Sequence, residues 1–206
     1  MSTKLLKYEV GPWPMNTYLL QCENTGLCAI IDPGADPEIL LENAAGARID
    51  KILITHGHPD HVGALDIVKT ATGAPVHLHP SDAETFELDY DVLLSDGDLL
   101  EIGDLRIRVV HTPGHTLGQC CFVIDHRIVV GDTIFVGGPG KTWSAEDFST
   151  TMETMQNIVF RWPDETEFYP GHGPSGKIGD ERPAFEAFVA RGWPEDLHGD
   201  VTWLET

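Results

Sequence analysis

Thr55-His56-Gly57-His58-Pro59-Asp60-His61 places four potential metal ligands within six residues, directly after the apolar run Lys51-Ile52-Leu53-Ile54. Residues i and i+2 of an extended chain point to the same side, so His56 and His58 converge on one ion. Gly57 permits a tight turn between them, and Pro59 biases His58 toward extended backbone. Asp60 and His61 fall where a helix begins and aim at a second ion beside the first. Polar loops after strands also collect His and Asp, but imidazoles and a carboxylate packed this densely point to ligand chemistry.

Working outward, the chain predicts strands over 5–10, 17–22 and 27–31, with Gly11-Pro12-Trp13-Pro14 joining the first two. The third is continuously apolar, as expected of a strand covered on both faces. It ends at Asp32, which either shapes the turn or orients a ligating histidine from behind, and the residues leave both open. Asp36 and Pro37 offer an N-cap and a first-turn proline for a helix over 38–45. A helix over 61–72, a strand over 75–78 and a polar helical or irregular section to residue 90 follow. Strands are then expected over 98–102 and 105–110, turning at Gly103-Asp104. The loop His111-Thr112-Pro113-Gly114-His115-Thr116 comes next. A hairpin over 119–124 and 127–130 turns at Asp125-His126 and runs into Gly131-Asp132-Thr133. Ser144 with Asp147 opens a helix reaching residue 161. A strand over 166–169 ends in Pro170-Gly171-His172-Gly173-Pro174, and a helix over 181–191 precedes the tail. Helices interleave with hairpins, so the pattern is layered α/β with mixed sheets, and residues 1–206 read as one domain.

The chain has 206 residues, 41% hydrophobic and 22% charged, which is ordinary for a globular protein. No apolar run approaches the roughly 18 residues of a membrane span, and the first residues lack a secretion signal, so a cytoplasmic location is expected. The formal net charge of −20, from 33 acidic against 13 basic residues, repels phosphate backbones and argues against nucleic-acid partners. Cys22, Cys28, Cys120 and Cys121 lack CxxC spacing, so buried free thiols are expected rather than a zinc knot or disulfide framework. Cys120 and Cys121 should face opposite sides of a strand.

Four segments share one grammar, an apolar strand followed by a Gly- or Pro-containing loop that offers His or Asp. They supply His56, His58, Asp60 and His61, then His115, Asp132 and His172. Seven ligands suit two metal ions if one carboxylate bridges them and a coordination position stays open for water. Of the remaining histidines, His77 and His79 read as structural or solvated, and His111 as a hydrogen-bonding neighbour of the site. His126 reads as a turn residue and His198 as a surface one.

The pieces THGHPDH, HTPGHTLG, GDTIF and YPGHGP, in this order, resemble the metallo-β-lactamase-fold hydrolases, and within them the short, single-domain glyoxalase II-like group. The resemblance implies a four-layer αββα sandwich with the metals held in loops on one edge. By position, His56, His58 and His115 resemble the ligands of a first metal, and Asp60, His61 and His172 those of a second. Asp132 resembles the bridging carboxylate, which makes Asp60 and Asp132 catalytic as well as ligating. The implied cofactor is two divalent ions, zinc first, with iron or manganese as alternatives. Lys141 resembles the family's basic contact to the thiol carrier's carboxylate, and Trp143 falls near a substrate-lining position. Only 34 residues follow His172, so the helical C-terminal domain of larger glyoxalase II enzymes is not expected here.

The implied activity is hydrolysis of a small hydroxyacyl thioester by a metal-bridging hydroxide, with a metal stabilising the developing oxyanion. A thiolate leaving group, with a pKa of about 8.5, needs little help from a general acid. A mononuclear-iron persulfide dioxygenase or a lactonase of the same fold is the alternative. The residues say nothing of oligomeric state.

Overall fold

The computed structural model describes residues 3–44 and 46–204. Strand β1 (Thr3–Val10) turns through residues 11–14 into β2 (Met15–Cys22), and a second hairpin leads to β3 (Leu27–Ile31). Helix α1 (Pro37–Asn43), β4 (Arg48–Leu53), α2 (Pro59–Val62) and α3 (Leu65–Thr72) follow. Then come β5 (Val76–Leu78), α4 (Pro80–Thr85) and β6 (Val92–Leu93). Among the described residues these strands form a six-stranded sheet in the order β1-β2-β3-β4-β5-β6. It is antiparallel up to β3 and parallel from β3 onward.

The second half supplies β7 (Leu99–Ile102), β8 (Leu105–His111), β9 (Cys120–Ile124) and β10 (Arg127–Gly131). A short hairpin of β11 (Ile134–Phe135) and β12 (Gly138–Pro139) precedes α5 (Ala145–Asn157). The described chain continues with β13 (Glu167–Pro170), β14 (Gly176–Lys177) and α6 (Ile178–Arg191). This sheet runs β14-β13-β10-β9-β8-β7, with β10 and β13 parallel and the other pairs antiparallel.

The period-2 alternation of strand side chains stacks the layers. Leu19, Cys28, Ile30 and Ile52 face Leu40 of α1 and Leu65 and Val68 of α3. Their sequence neighbours Tyr18, Leu20, Ala29, Ile31 and Leu53 meet Ile107, Val109, Phe122 and Val129 of the other sheet. On that sheet's far side Ile128 and Val130 pack on Phe148, Met152, Phe185 and Phe188 of α5 and α6. The architecture is therefore the expected αββα sandwich. Cys120 lies between the sheets and Cys121 under the helices, and all four cysteines are buried free thiols.

Several local expectations need correction. The helix expected over 61–72 is two helices, because the chain bends at Gly63-Ala64 to meet the loop after β3. Ala64 N donates to Pro33 O at 2.9 Å, and a Cβ at Gly63 would lie 2.5 Å from Gly34 O. Asp36 does not cap α1 with its side chain; it sits at φ 48° and its carboxylate accepts from Gly11 N. The expected end of that helix at Ala45 lies outside the described residues. Helix α5 ends at Asn157 and gives way to a 3-10 turn over Val159–Arg161, and α6 starts at Ile178 rather than at 181. Strands β6 and β14 are two residues each, too short to leave a period in the sequence.

Candidate metal centre

The side chains singled out by the sequence follow the ends of β4, β8, β10 and β13, and the fold brings them to one edge of the sandwich. His58 is extended (φ −62°, ψ 145°) ahead of Pro59, which opens α2, so Asp60 and His61 sit in that helix's first turn. His172 is held beside Met15 by an antiparallel bridge. Three overlapping groups result: His56, His58 and His115; His56, His61 and Asp132; and Asp60, His61 and His172. Within each group the candidate ligand atoms lie within 4.8 Å of one another. Asp132 sits between them, its Oδ1 3.4 Å from His61 Nε2 and its Oδ2 3.5 Å from His115 Nε2 and 3.8 Å from His172 Nε2.

The inward atoms include His56 Nε2, His61 Nε2 and Asp132 Oδ1, all buried without a hydrogen-bond partner. Unpaired buried polar atoms are costly, and several converging on one point fit a cation that the donor set suits.

On His56, His61, His115 and His172 the outward nitrogen has a partner that turns Nε2 toward that point. His61 Nδ1 meets Asp32 Oδ2 at 2.9 Å, His115 Nδ1 meets Lys141 O at 2.8 Å, and His172 Nδ1 meets Pro14 O at 2.9 Å. Thr55 Oγ1 donates to Asp32 Oδ2 at 2.6 Å, which leaves it to accept from His56 Nδ1 at 3.1 Å. These acceptors place an N–H outside and aim Nε2 inward; His58 instead points Nδ1 inward, 2.9 Å from His115 Nε2. Asp32 thus does both things the sequence left open: it turns the chain at φ 53° and orients a histidine.

Sequence reasoning missed Asp82. It is fully buried on α4, and its carboxylate accepts from Gly57 N, Thr116 Oγ1 and Gly118 N. An aspartate in the first turn of a proline-led helix reads as an ordinary dipole complement, so nothing local marks it. The backbone carbonyls of Pro14 and Lys141 carried no sequence signal either. His111 ends β8, meets Leu117 O of the His115 loop through Nε2 at 2.8 Å and stacks on His79 with centroids 4.3 Å apart. His79 accepts from Ser81 N at the start of α4, and His77 is buried with neither ring nitrogen hydrogen-bonded. His126 lies in the β9–β10 turn, and His198 is exposed.

Charge is unevenly spread over the imidazoles. Burial, then His61 and the other ring neighbours, pushes His56 well below the usual histidine value. Burial and His115 push His58 down to about 4. The hydrogen bond from His172 pulls Asp60 down to about 2. At His61 burial opposes the charge, but Asp132 and Asp32 outweigh it and push the ring up to about 10. The site therefore stabilises positive charge between Asp32 and Asp132, where two carboxylates flank one ring.

A cleft of about 540 Å³ opens over these groups, lined among others by His58, Asp60, Asp132, His172, Lys141 and Trp143. Trp143 packs against the rings of His58 and His115 with centroids 5.2 and 5.3 Å apart. Lys141 Nζ pairs with Asp200 Oδ2 at 3.1 Å on the cleft's rim, where both are largely exposed. Both residues expected to line a substrate pocket are thus in the cleft.

The sequence model of the metallo-β-lactamase superfamily matches residues 10–173. An uncharacterized protein of Aquifex aeolicus is 32% identical over 200 residues, 87% of this chain and 94% of its own. A hydroxyacylglutathione hydrolase of Rhodopseudomonas palustris is 37% identical over 161 residues, 75% of this chain. The match spans only 61% of that relative's length. Among solved structures, the BLEG-1 B3 metallo-β-lactamase superposes with a TM-score of 0.80 at 27% identity, covering 87% of this chain and 97% of its own. TTHA1623 in a di-iron-bound form superposes with a TM-score of 0.71 at 29% identity, covering 86% and 96%.

Proposed function

The chain belongs to the metallo-β-lactamase superfamily, and from that premise we propose that it is a binuclear metallohydrolase of small hydroxyacyl thioesters. The observation that carries the reading is the overlap of the ligand groups around Asp132, with unpaired His56 Nε2, His61 Nε2 and Asp132 Oδ1 aimed at one another. In this reading His56, His58 and His115 hold one divalent ion, Asp60, His61 and His172 a second, and Asp132 faces both. Such ions supply an acidified water as nucleophile and Lewis-acid polarisation of the attacked carbonyl. Zinc fits the imidazole and carboxylate donors, and so do iron and manganese; the di-iron neighbour supports iron as the second choice.

The chain's own part is binding and orientation. Trp143 walls the cleft against His58 and His115 and offers an apolar face to the acyl group. Lys141 presents an ammonium to a carboxylate on the thiol carrier, a needed counterweight in a chain of net charge −20. A thiolate with a pKa of about 8.5 departs unprotonated, so the reaction asks no general acid of the cleft. The relatives named hydroxyacylglutathione hydrolase support a thioester over an amide or lactone. All the ligands lie within one αββα unit, so we treat residues 1–206 as one catalytic domain. Among the described residues no helix is long and apolar enough to cross a membrane, and the free thiols suit a cytoplasmic setting.

The test is metal content and S-lactoylglutathione turnover on one purified sample, repeated with Asp132→Ala. Two ions per chain with turnover are expected, and the variant should lose both turnover and metal while keeping its fold. Full activity in Asp132→Ala would refute the bridging role. A single iron with oxygen consumption on a persulfide, and no hydrolysis, would replace the reading with persulfide oxygenation.

A further inference from the structure

We propose that Asp82 is a positioning residue for the first ligand group, holding the His56-Gly57-His58 turn and the His115 loop in mutual register. The proposal rests on reading those histidines as ligands. Asp82 stands on α4, outside every ligand-bearing loop, and is fully buried. Its Oδ2 accepts from Gly57 N at 2.9 Å and from Thr116 Oγ1 at 2.8 Å, while Oδ1 accepts from Gly118 N at 2.7 Å. Gly57 lies between two of the histidines, and Thr116 and Gly118 follow the third. One carboxylate therefore ties the loop after β4 to the loop after β8, and the first group needs ligands from both.

The surroundings leave this side chain little freedom. A Cβ at Gly118 would lie 2.6 Å from Asp82 Oδ1, so the glycine lets the loop close onto the carboxylate. Phe86, four residues further along the chain from Asp82, is aimed at the same turn. Its ring meets the His58 ring edge-on with centroids 5.2 Å apart and fills the space where a Cβ at Gly57 would lie. None of the Asp82 hydrogen bonds reaches Asp60, His61 or His172. His61 is oriented by Asp32 and His172 by Pro14 O, so the second group's supports do not include Asp82. A merely structural aspartate would loosen both groups alike; a positioning one depletes the first.

The test uses the full chain with Asp82→Ala, Asp82→Asn and Thr116→Val, and zinc affinities read by competition with a chromophoric chelator. Cobalt absorption tells the three-imidazole group from the one that also carries Asp60. Asp82→Ala should weaken the first group about 10- to 100-fold, the range typical of supporting partners of ligands, and leave the second unchanged. Thr116→Val keeps the carboxylate and both amide donors, so it should fold and weaken the first group by about fivefold, one hydrogen bond's worth. Asp82→Asn, which keeps the shape and one acceptor oxygen, should fall between the two. Hydrogen exchange on the metal-free chain is a readout independent of any ion: Asp82→Ala should speed the Gly57 and Gly118 amides and spare that of Thr55, which Asp32 holds. Equal weakening of both groups, or unchanged exchange at Gly57 and Gly118, would overturn the proposal. If the wild type took up no metal, the ligand reading itself would fall, and the exchange data would still decide whether Asp82 joins the two loops.

Discussion

Replacing Asp32 by Asn tests whether the orientation of His61 matters as its hydrogen bond suggests. The carboxylate serves three donors: Thr55 N at 2.7 Å on Oδ1, and Thr55 Oγ1 at 2.6 Å with His61 Nδ1 at 2.9 Å on Oδ2. Asn keeps the shape and tolerates the left-handed backbone at φ 53°, so the change isolates the hydrogen bonding. An amide has one acceptor oxygen, and its NH2 must face one of the two sets. If the NH2 faces Thr55 N, two donors oppose each other in a buried site. If it faces His61, the ring must accept at Nδ1 and carry its proton at Nε2, the atom aimed at Asp132 and the ligand cluster. The first outcome leaves a buried polar group unsatisfied at a cost of about 1–3 kcal/mol, and the second, set against ligation, costs a comparable amount by turning an N–H where a lone pair is needed. Expressed at the second group, this is roughly a 5- to 150-fold loss of metal affinity. Two-site zinc competition on the folded variant measures it. Unchanged affinity at both groups, or a loss confined to the first, would refute the reasoning.

Lys141→Ala should raise KM for an anionic thioester severalfold and leave kcat in place, since the backbone carbonyl that orients His115 survives the change. The exposed pair with Asp200 adds little of its own, so an unchanged KM would reduce the lysine to a surface residue. In the metal-free chain His61 is raised from its ordinary 6.5 to about 10, so its stabilisation is fully present below 6.5 and is lost as pH rises through about 10. Thermal melts of the metal-free protein across that window should fall toward the alkaline end, and Asp132→Asn should flatten the slope. Zinc loading near neutral pH should also release protons into weak buffer, because His61 must give one up to ligate. No release would mean that His61 is already neutral in the metal-free chain or is not a ligand.

How much of this was legible in the sequence follows from the range of each interaction. The His56, His58, Asp60 and His61 cluster is local, set by strand alternation, one glycine and one proline, and the fold brings these side chains to one edge. Alternation likewise separated Cys120 from Cys121, and the unbroken apolar run over 27–31 marked β3 as covered on both faces. The supports of the ligands are tertiary and left no pattern: Pro14 O reaches His172 across 158 residues, and Asp82 bonds Gly118 across 36. The break between α2 and α3 was hidden because Gly63 and Ala64 do not interrupt the helical spacing; the contact with the loop after β3 does.

Both candidate ion sites draw on both sheets, and this decides what the fold must hold constant. His56, His58, Asp60 and His61 follow β4 in one sheet; His115, Asp132 and His172 follow β8, β10 and β13 in the other. A small slide of one sheet on the other would open both groups at once. Direct bonds across the sandwich oppose that slide beside the site: Cys120 N to Thr55 O at 2.8 Å, Asn16 N to Gly171 O at 2.6 Å, and Tyr18 OH to Pro170 O at 2.6 Å. Each involves, or lies next to, a loop that carries ligands. The buried polar residues of β2, which look misplaced in a core strand, are explained by that work. Asn16 and Tyr18 face the β13 loop because the metal-binding edge has to stay closed, with apolar packing between the sheets left to hold the rest.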